Sequence, residues 1–195
     1  MARSGDGGAI GATVQQLRES AAFFRSAGGD AYRISATPAT TGATLFARYD
    51  FAPDWTFAGQ YALATTPSFE NTGDSLITKV STTRVSAYAV SLSRANLAHR
   101  TDRIAMTFTQ PLCAMSGVMT FDLPTDIDAS GQLTRTARAI SLNPAGRERL
   151  TELSYSRSIG KTSMLALSAL HRADPNHDAL APAERAVSIR ISSNY

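Results

Sequence analysis

From residue 31 to its C-terminus the chain alternates between large apolar side chains and small or polar ones. Leu45, Ala47, Tyr49 and Phe51 oppose Phe46, Arg48 and Asp50, and Trp55, Phe57, Gly59, Tyr61 and Leu63 oppose Thr56, Ala58, Gln60, Ala62 and Ala64. Tyr88, Val90 and Leu92 oppose Ala87, Ala89 and Ser91, and the pattern returns at Ile104, Met106 and Phe108, at Met119, Phe121 and Leu123, and at Leu153 and Tyr155. A period of two sends successive side chains to opposite sides of a pleated strand, so the pattern demands sheets with two unlike faces.

Ten segments carry the alternation, at 31–36, 44–51, 55–64, 86–92, 104–109, 118–123, 135–142, 152–156, 163–171 and 186–195. Turn-forming runs such as Ala52-Pro53-Asp54, Asp128-Ala129-Ser130-Gly131 and Asn143-Pro144-Ala145-Gly146 separate them. No helix long enough for a parallel crossover lies between them, so an antiparallel meander follows. A twisted meander of this size curls, and closing it removes both edges. The expected fold is all-β, a small closed barrel of about ten strands, complete or part of a twelve-stranded one.

Residues 1–29 are expected to differ from the barrel domain at 30–195. Val14, Leu17, Ala21 and Phe24 recur at three- and four-residue steps, and Gly28-Gly29 follows as a stop, which predicts one amphipathic helix over Ile10–Arg25. Its apolar side would dock as a linker or plug.

Alternation alone does not say which face meets water. Charged residues are only 18% of the chain and apolar ones 43%, and the polar side of the strands is mainly Ala, Ser, Thr and Gln. A water-facing exterior carries many Lys and Glu, whereas a barrel lumen tolerates small polar residues. Arg48, Asp50, Glu152 and Arg190 fall on the polar side, and Arg84, Arg94 and Arg157 fall in register with apolar faces but near strand ends. The arrangement points to an outer-membrane-type barrel with its apolar face outward. The other reading is a soluble antiparallel barrel or sandwich acting as a binding or assembly module. Trp55, Tyr61, Tyr88 and Tyr155 suit an interfacial girdle.

The last segment carries a further signal. Val187, Ile189, Ile191 and Tyr195 fall at odd positions, and the aromatic closes the chain. An amphipathic last strand ending on an aromatic residue resembles the β-signal of outer-membrane barrels, which implies recognition by the outer-membrane barrel assembly machinery through strand addition.

Gln110-Pro111-Leu112, Thr120-Phe121-Asp122-Leu123-Pro124, the run from Ile140 to Glu148 and the run from Arg172 to Asp178 resemble the C-terminal region of autotransporter-like, subtilisin-family serine proteases of Gram-negative bacteria. The resemblance spans roughly Ala31 to Tyr195. It implies a non-catalytic translocator or anchor in the bacterial outer membrane, with membrane lipid around it and an N-terminal passenger domain upstream. Met1 to Gly8 lacks the apolar region of a signal peptide, so this reading implies a longer precursor.

Other chemistries find little purchase. Basic residues are scattered, the lysines are only Lys79 and Lys161, and the net charge is +3, so no phosphate-tracking stripe exists for nucleic acid. Cys113 is the one cysteine, which excludes a disulfide within the chain and a cysteine-clustered metal centre. Gly160-Lys161-Thr162-Ser163 lacks the first glycine of a phosphate loop, Tyr155 standing there. Thr162-Ser163-Met164 echoes a subtilisin nucleophile, but His99, His171 and His177 lie in turns without a triad context. Asp174, His177 and Asp178, like Asp126 and Asp128, read as loop residues. No catalytic, cofactor-binding or metal residue is assigned, and no cofactor is expected.

Overall fold

A computed structural model describes residues 7–20, 30–72, 74–160 and 162–193. It contains twelve strands: β1 (Gly7–Arg18), β2 (Ala39–Ala52), β3 (Trp55–Thr66), β4 (Phe69–Glu70), β5 (Ile77–Val80), β6 (Thr83–Ala95), β7 (Asp102–Ser116), β8 (Val118–Ile127), β9 (Leu133–Ser141), β10 (Arg149–Ile159), β11 (Ser163–Ala173) and β12 (Glu184–Ser193). Eight form one sheet in the order β1-β2-β3-β6-β7-β10-β11-β12, and four form a second in the order β4-β5-β8-β9. All pairings are antiparallel. The all-β antiparallel expectation therefore holds, while the large sheet is not closed and leaves β1 and β12 at its edges.

The expected helix over Ile10–Arg25 is replaced by a strand as far as Arg18. Gly11 costs that helix about 1 kcal/mol relative to alanine, and Gly7 and Gly8 just before it disfavour any helical extension. Strand pairing offers compensation, since β1 aligns with β2 from Gly7↔Asp50 to Arg18↔Ala39. The glycines also have a steric role, because a Cβ on Gly11 would fall within the Phe46 ring that lies across it. Val14 and Leu17, meant for one helical face, lie on opposite faces of β1. Ala21 and Phe24 lie outside the described residues.

The segment 31–36 also departs from expectation. Instead of a strand it holds a 3-10 turn over Asp30–Tyr32 followed by irregular chain. Its backbone is satisfied by a side chain: Ser35 N–H donates to Asn71 Oδ1 (2.6 Å), while Asn71 Nδ2 donates to the Arg33 carbonyl (2.8 Å) and the Ile77 carbonyl (2.9 Å). With Pro38 just beyond, lacking an N–H, ladder pairing has no continuation. Ile34 still buries its side chain, with Ile77 and Val80, against Ala36, Phe69, Met119, Phe121 and Leu142. That cluster is a small conventional core between the chain entering β2 and the second sheet.

Connections differ at the two ends of the large sheet. One end carries the short turns 53–54, 96–101 and 160–162. The other carries the long excursions 19–38, 67–82, 117–148 and 174–183, which include all of β4, β5, β8 and β9. β1 starts and β12 finishes at the short-turn end. We call the small core and second sheet at the opposite end the cap. Val80 is fully buried in it, so Val80→Ala is expected to cost about 1–3 kcal/mol of cap stability. Hydrogen exchange should show faster exchange at Ile77–Val80 and Val118–Phe121, with β3, β6 and β7 unaffected.

Candidate membrane-facing surface

The register of the large sheet sorts its side chains into two surfaces. One row runs Ile10, Ala47, Gly59, Val90, Phe108, Thr151, His171 and Arg185 across all eight strands. A neighbouring row runs Tyr49, Phe57, Leu92, Met106, Leu153, Ala169 and Val187. A third, nearer the short turns, runs Trp55, Arg94, Ile104, Tyr155, Leu167 and Ile189. These rows share one face, and most of their members are large and apolar.

This apolar face is open to its surroundings. Across all the described residues, not this face alone, thirty large apolar side chains are exposed, while only five apolar residues are buried, against ten polar or charged ones. The usual partition is inverted, and contiguous exposed apolar surface on this scale marks a contact with something apolar. Exposure is graded across the sheet: Val187, Ile189, Ile191, Ile10 and Val14 at the two edges are 70–86% exposed, whereas Val90 and Leu92 in the middle are 38% and 41%. Interior side chains are shielded by strands on both sides, and edge ones by a strand on one side only.

Aromatic side chains gather at two levels of this face. Tyr49 and Phe51 stack at 6.4 Å, and Phe51 lies 6.1 Å from Trp55 near the short turns. Tyr61 stands opposite Tyr88, whose ring is 6.0 Å from Phe108. Along β3, Trp55 and Tyr61 are separated by about 20 Å of strand. The proposed girdle residues thus form two levels, Trp55 with Tyr155 and Tyr61 with Tyr88.

The opposite face is lined mainly by small and polar groups, with Leu17, Phe46, Met164 and Leu170 among its few large apolar ones. Arg48 Nη2 lies 3.2 Å from Asp50 Oδ1, and Thr56 Oγ1 donates to Asp50 (2.5 Å). Arg103 Nη2 donates to Ser93 Oγ (2.7 Å), Thr107 to Ser91 (3.2 Å), and Ser168 and Ser188 share a hydrogen bond of 2.9 Å. Ala9, Phe46, Arg48, Ala58, Gln60, Ala89 and Ser91 surround a hollow of about 310 Å³ on this side. A second hollow, about 220 Å³, is lined by Arg48, Asp50, Thr56, Ser93 and Arg103 among others.

Of the terminal strand signal, Val187, Ile189 and Ile191 line up on the exposed apolar face; Tyr195 lies outside the described residues. Ser163 Oγ donates to Ser193 Oγ at 3.1 Å, across the β11–β12 pair. Among the described residues no group of three or more His, Cys, Asp or Glu side chains is placed to hold a metal ion.

A latch at the long-loop end was not foreseen, although its halves are the runs 140–148 and 172–178 singled out above. Arg172 grips buried Glu148 through two hydrogen bonds (Nε to Oε1 2.7 Å, Nη2 to Oε2 2.9 Å) and reaches Glu184 Oε2 with Nη1 (3.0 Å). Asn176 N–H donates to Glu148 Oε2 (2.7 Å), and Glu148 N–H donates to His177 Nδ1 (2.9 Å). The His177 ring is therefore the Nε2–H tautomer, which donates to the Leu112 carbonyl at 3.0 Å. Asp174, Asn176 and His177 have positive φ, a conformation these residue types tolerate better than most. Gly146 packs against the backbone of Asp178 and Ala179, where a Cβ would come within 2.5 Å of the Ala179 nitrogen. The spacing between the halves hides the contact, since nothing local pairs Glu148 with Arg172.

No family model matches the chain, and neither a curated protein nor a solved structure shows significant similarity to it.

The hydrogen bonds from Arg172, helped by the Asn176 N–H, hold the Glu148 carboxyl below the ordinary carboxylate range despite its burial. A carboxylate depressed in the folded state stabilises above its unfolded pKa, about 4.3, and loses that contribution as pH falls through the folded value. Limited proteolysis within 174–183 should therefore be slow at neutral pH and accelerate below about pH 4. Glu148→Gln should remove most of that acid dependence and leave the loop labile at pH 7.

Proposed function

We propose that this chain is a non-catalytic outer-membrane β-barrel domain, acting as translocator or anchor for an N-terminal passenger, its apolar face in the lipid and its polar face around a lumen. The observation that carries this reading is the inverted large sheet, with apolar side chains exposed across eight strands and Ser, Thr, Arg and Asp hydrogen-bonded on the other side. A spanning strand needs about 9–11 residues, and the eight strands of the large sheet have 10 to 15. Short turns at one end and long excursions at the other match the periplasmic and extracellular ends of such barrels. Both ends of the described chain lie on the short-turn side, as delivery of a C-terminal β-signal from the periplasm requires. The resemblance to autotransporter-like serine proteases supplies the passenger.

Lipid cannot satisfy unpaired backbone groups, so in a membrane β1 and β12 must close on each other. Eight is an even number of strands, which makes that closure antiparallel like every other pair. If the row through Ile10 and Arg185 closes with a shear of about eight residues, the value of the eight-stranded (β/α)8 barrel, Ile189 falls opposite Val14 and Ile191 opposite Ala12. The opposite stagger leaves β12 no partner on β1.

Three results test this reading. The wild-type chain should fold only with detergent or lipid and resist SDS until heated; full folding in plain buffer would overturn the proposal. Ile189→Asp should block membrane assembly, since a charge on the lipid face costs a few kcal/mol, about 2–4 for Arg or Lys and less for Asp, whereas Ser188→Asp should be tolerated. In a Cys113→Ala background, Val14→Cys with Ile189→Cys should cross-link within one molecule in lipid. Cross-links only between molecules would mean an open sheet pairing copy with copy.

A further inference from the structure

Two arginines on the apolar face have no hydrogen-bond or ion-pair partner among the described residues. Arg94 falls in register with Trp55, Ile104 and Tyr155, and Arg157 lies one row nearer the short turns, two residues beyond Tyr155 on the same face. Both have a buried Nε without a hydrogen-bond acceptor, and among the described residues neither side chain forms a hydrogen bond or ion pair. Arg94 instead lies over the Trp55 ring, its Cζ 5.4 Å from the centroid.

The acid across the ladder from Arg157 forms no ion pair with it. Asp102 stands directly across from Arg157 in the β7–β10 pair. Its carboxylate is already occupied by the N–H groups of Leu97 (2.7 Å), Ala98 (3.0 Å) and His99 (3.1 Å) and by the Tyr155 hydroxyl (3.3 Å). That carboxylate is directed into the 96–101 turn and makes no hydrogen bond or ion pair with Arg157. A partly buried cation beside apolar surface is costly unless an anion meets it.

Resting on the membrane reading, we propose that Arg94 and Arg157, with Trp55 and Tyr155, bind the phosphate of anionic phospholipid headgroups in the leaflet at the short-turn end. The chemistry is complementary throughout. A guanidinium offers several N–H donors in a planar fork that suits phosphate oxygens. Trp and Tyr rings favour the headgroup level, where one side is apolar and the other wet. Phe57, Leu92, Met106 and Leu153, in the next row away from the short turns, continue as apolar surface for the acyl chains. Free inorganic phosphate would engage the same guanidinium groups but gain nothing from those apolar neighbours, so the lipid is the occupant the surroundings favour.

Trp55 is the sole tryptophan and so reports on this site. The full chain, folded in a non-ionic glucoside detergent, would be titrated with short-chain phosphatidylglycerol while Trp55 emission is followed. We expect a saturable change, weakened roughly tenfold by either Arg94→Gln or Arg157→Gln, the ratio that about 1.4 kcal/mol of charge-assisted bonding supplies. Arg157→Lys should restore part of the affinity. Each variant is first checked for heat-resistant migration in SDS, so that a misfolded variant is replaced by its lysine counterpart. An equal response to inorganic phosphate would overturn the lipid assignment, and a non-saturating or variant-insensitive response would overturn the site. Folding without detergent would sink the membrane reading itself, whereas detergent-dependent folding with a silent Trp55 would sink this inference alone.

Discussion

Backbone hydrogen bonding between antiparallel neighbours holds the large sheet together, because side-chain burial contributes so little to it. Only five apolar residues are buried among the described residues, and three of them, Ile34, Ile77 and Val80, belong to the cap core. In water such a sheet would lack the driving force that normally offsets chain entropy. In hydrocarbon the accounting changes: an unmade backbone hydrogen bond costs several kcal/mol, and exposed Leu, Ile and Phe cost nothing. On the membrane reading proposed above, the ladder of eight strands is what the surroundings demand, and the polar side chains on its other face meet one another.

The two ends of the sheet carry different work. At the short-turn end, Asp102 gathers three backbone N–H groups and organises the 96–101 turn. At the other, Glu148 and Arg172 lash the approach to β10, the end of β11 and the start of β12 into one network. Both devices use a buried or nearly buried carboxylate as a hub for backbone donors. The difference lies in the cation: Glu148 has its arginine, while Asp102 leaves the arginine opposite it unmet.

Much of the large sheet was legible in the sequence because period-two alternation is a direct imprint of the pleat. Segments such as 44–51, 55–64 and 86–92 lie inside β2, β3 and β6, and Val187, Ile189 and Ile191 lie on the face expected of them. The failures came where another pattern or partner competed. Val14 and Leu17, three residues apart across Gln15 and Gln16, match a helical step and not a strand step, and only the twelve partners offered by β2 override that pattern. At 31–36 the alternation was real, since Ile34 is buried, but Asn71 took the backbone bonds that a neighbouring strand would have made. The strand count suffered similarly, because β8 and β9 alternate as well as any others yet leave the large sheet at Gly117 to form the second one. The latch was invisible for a different reason: its residues are distant in sequence, and no periodicity links a glutamate in one turn to an arginine in a strand.

On the proposed membrane reading, the cap gives the molecule two solvent regimes in one chain. Its core of Ile34, Ile77 and Val80 is apolar inside and polar outside, as in any water-borne domain, while the sheet below it is the reverse. Agents that dissolve apolar matter therefore act on the two parts with opposite sign. A detergent that coats the sheet and preserves it is also a competitor for Phe69, Met119, Phe121 and Leu142, the half-covered residues around the cap core. Urea reverses the bias only in part, since it weakens apolar burial and peptide hydrogen bonds alike. Unfolding of this chain is consequently a two-unit process whose order depends on the solubilising medium, and a single midpoint would describe neither unit.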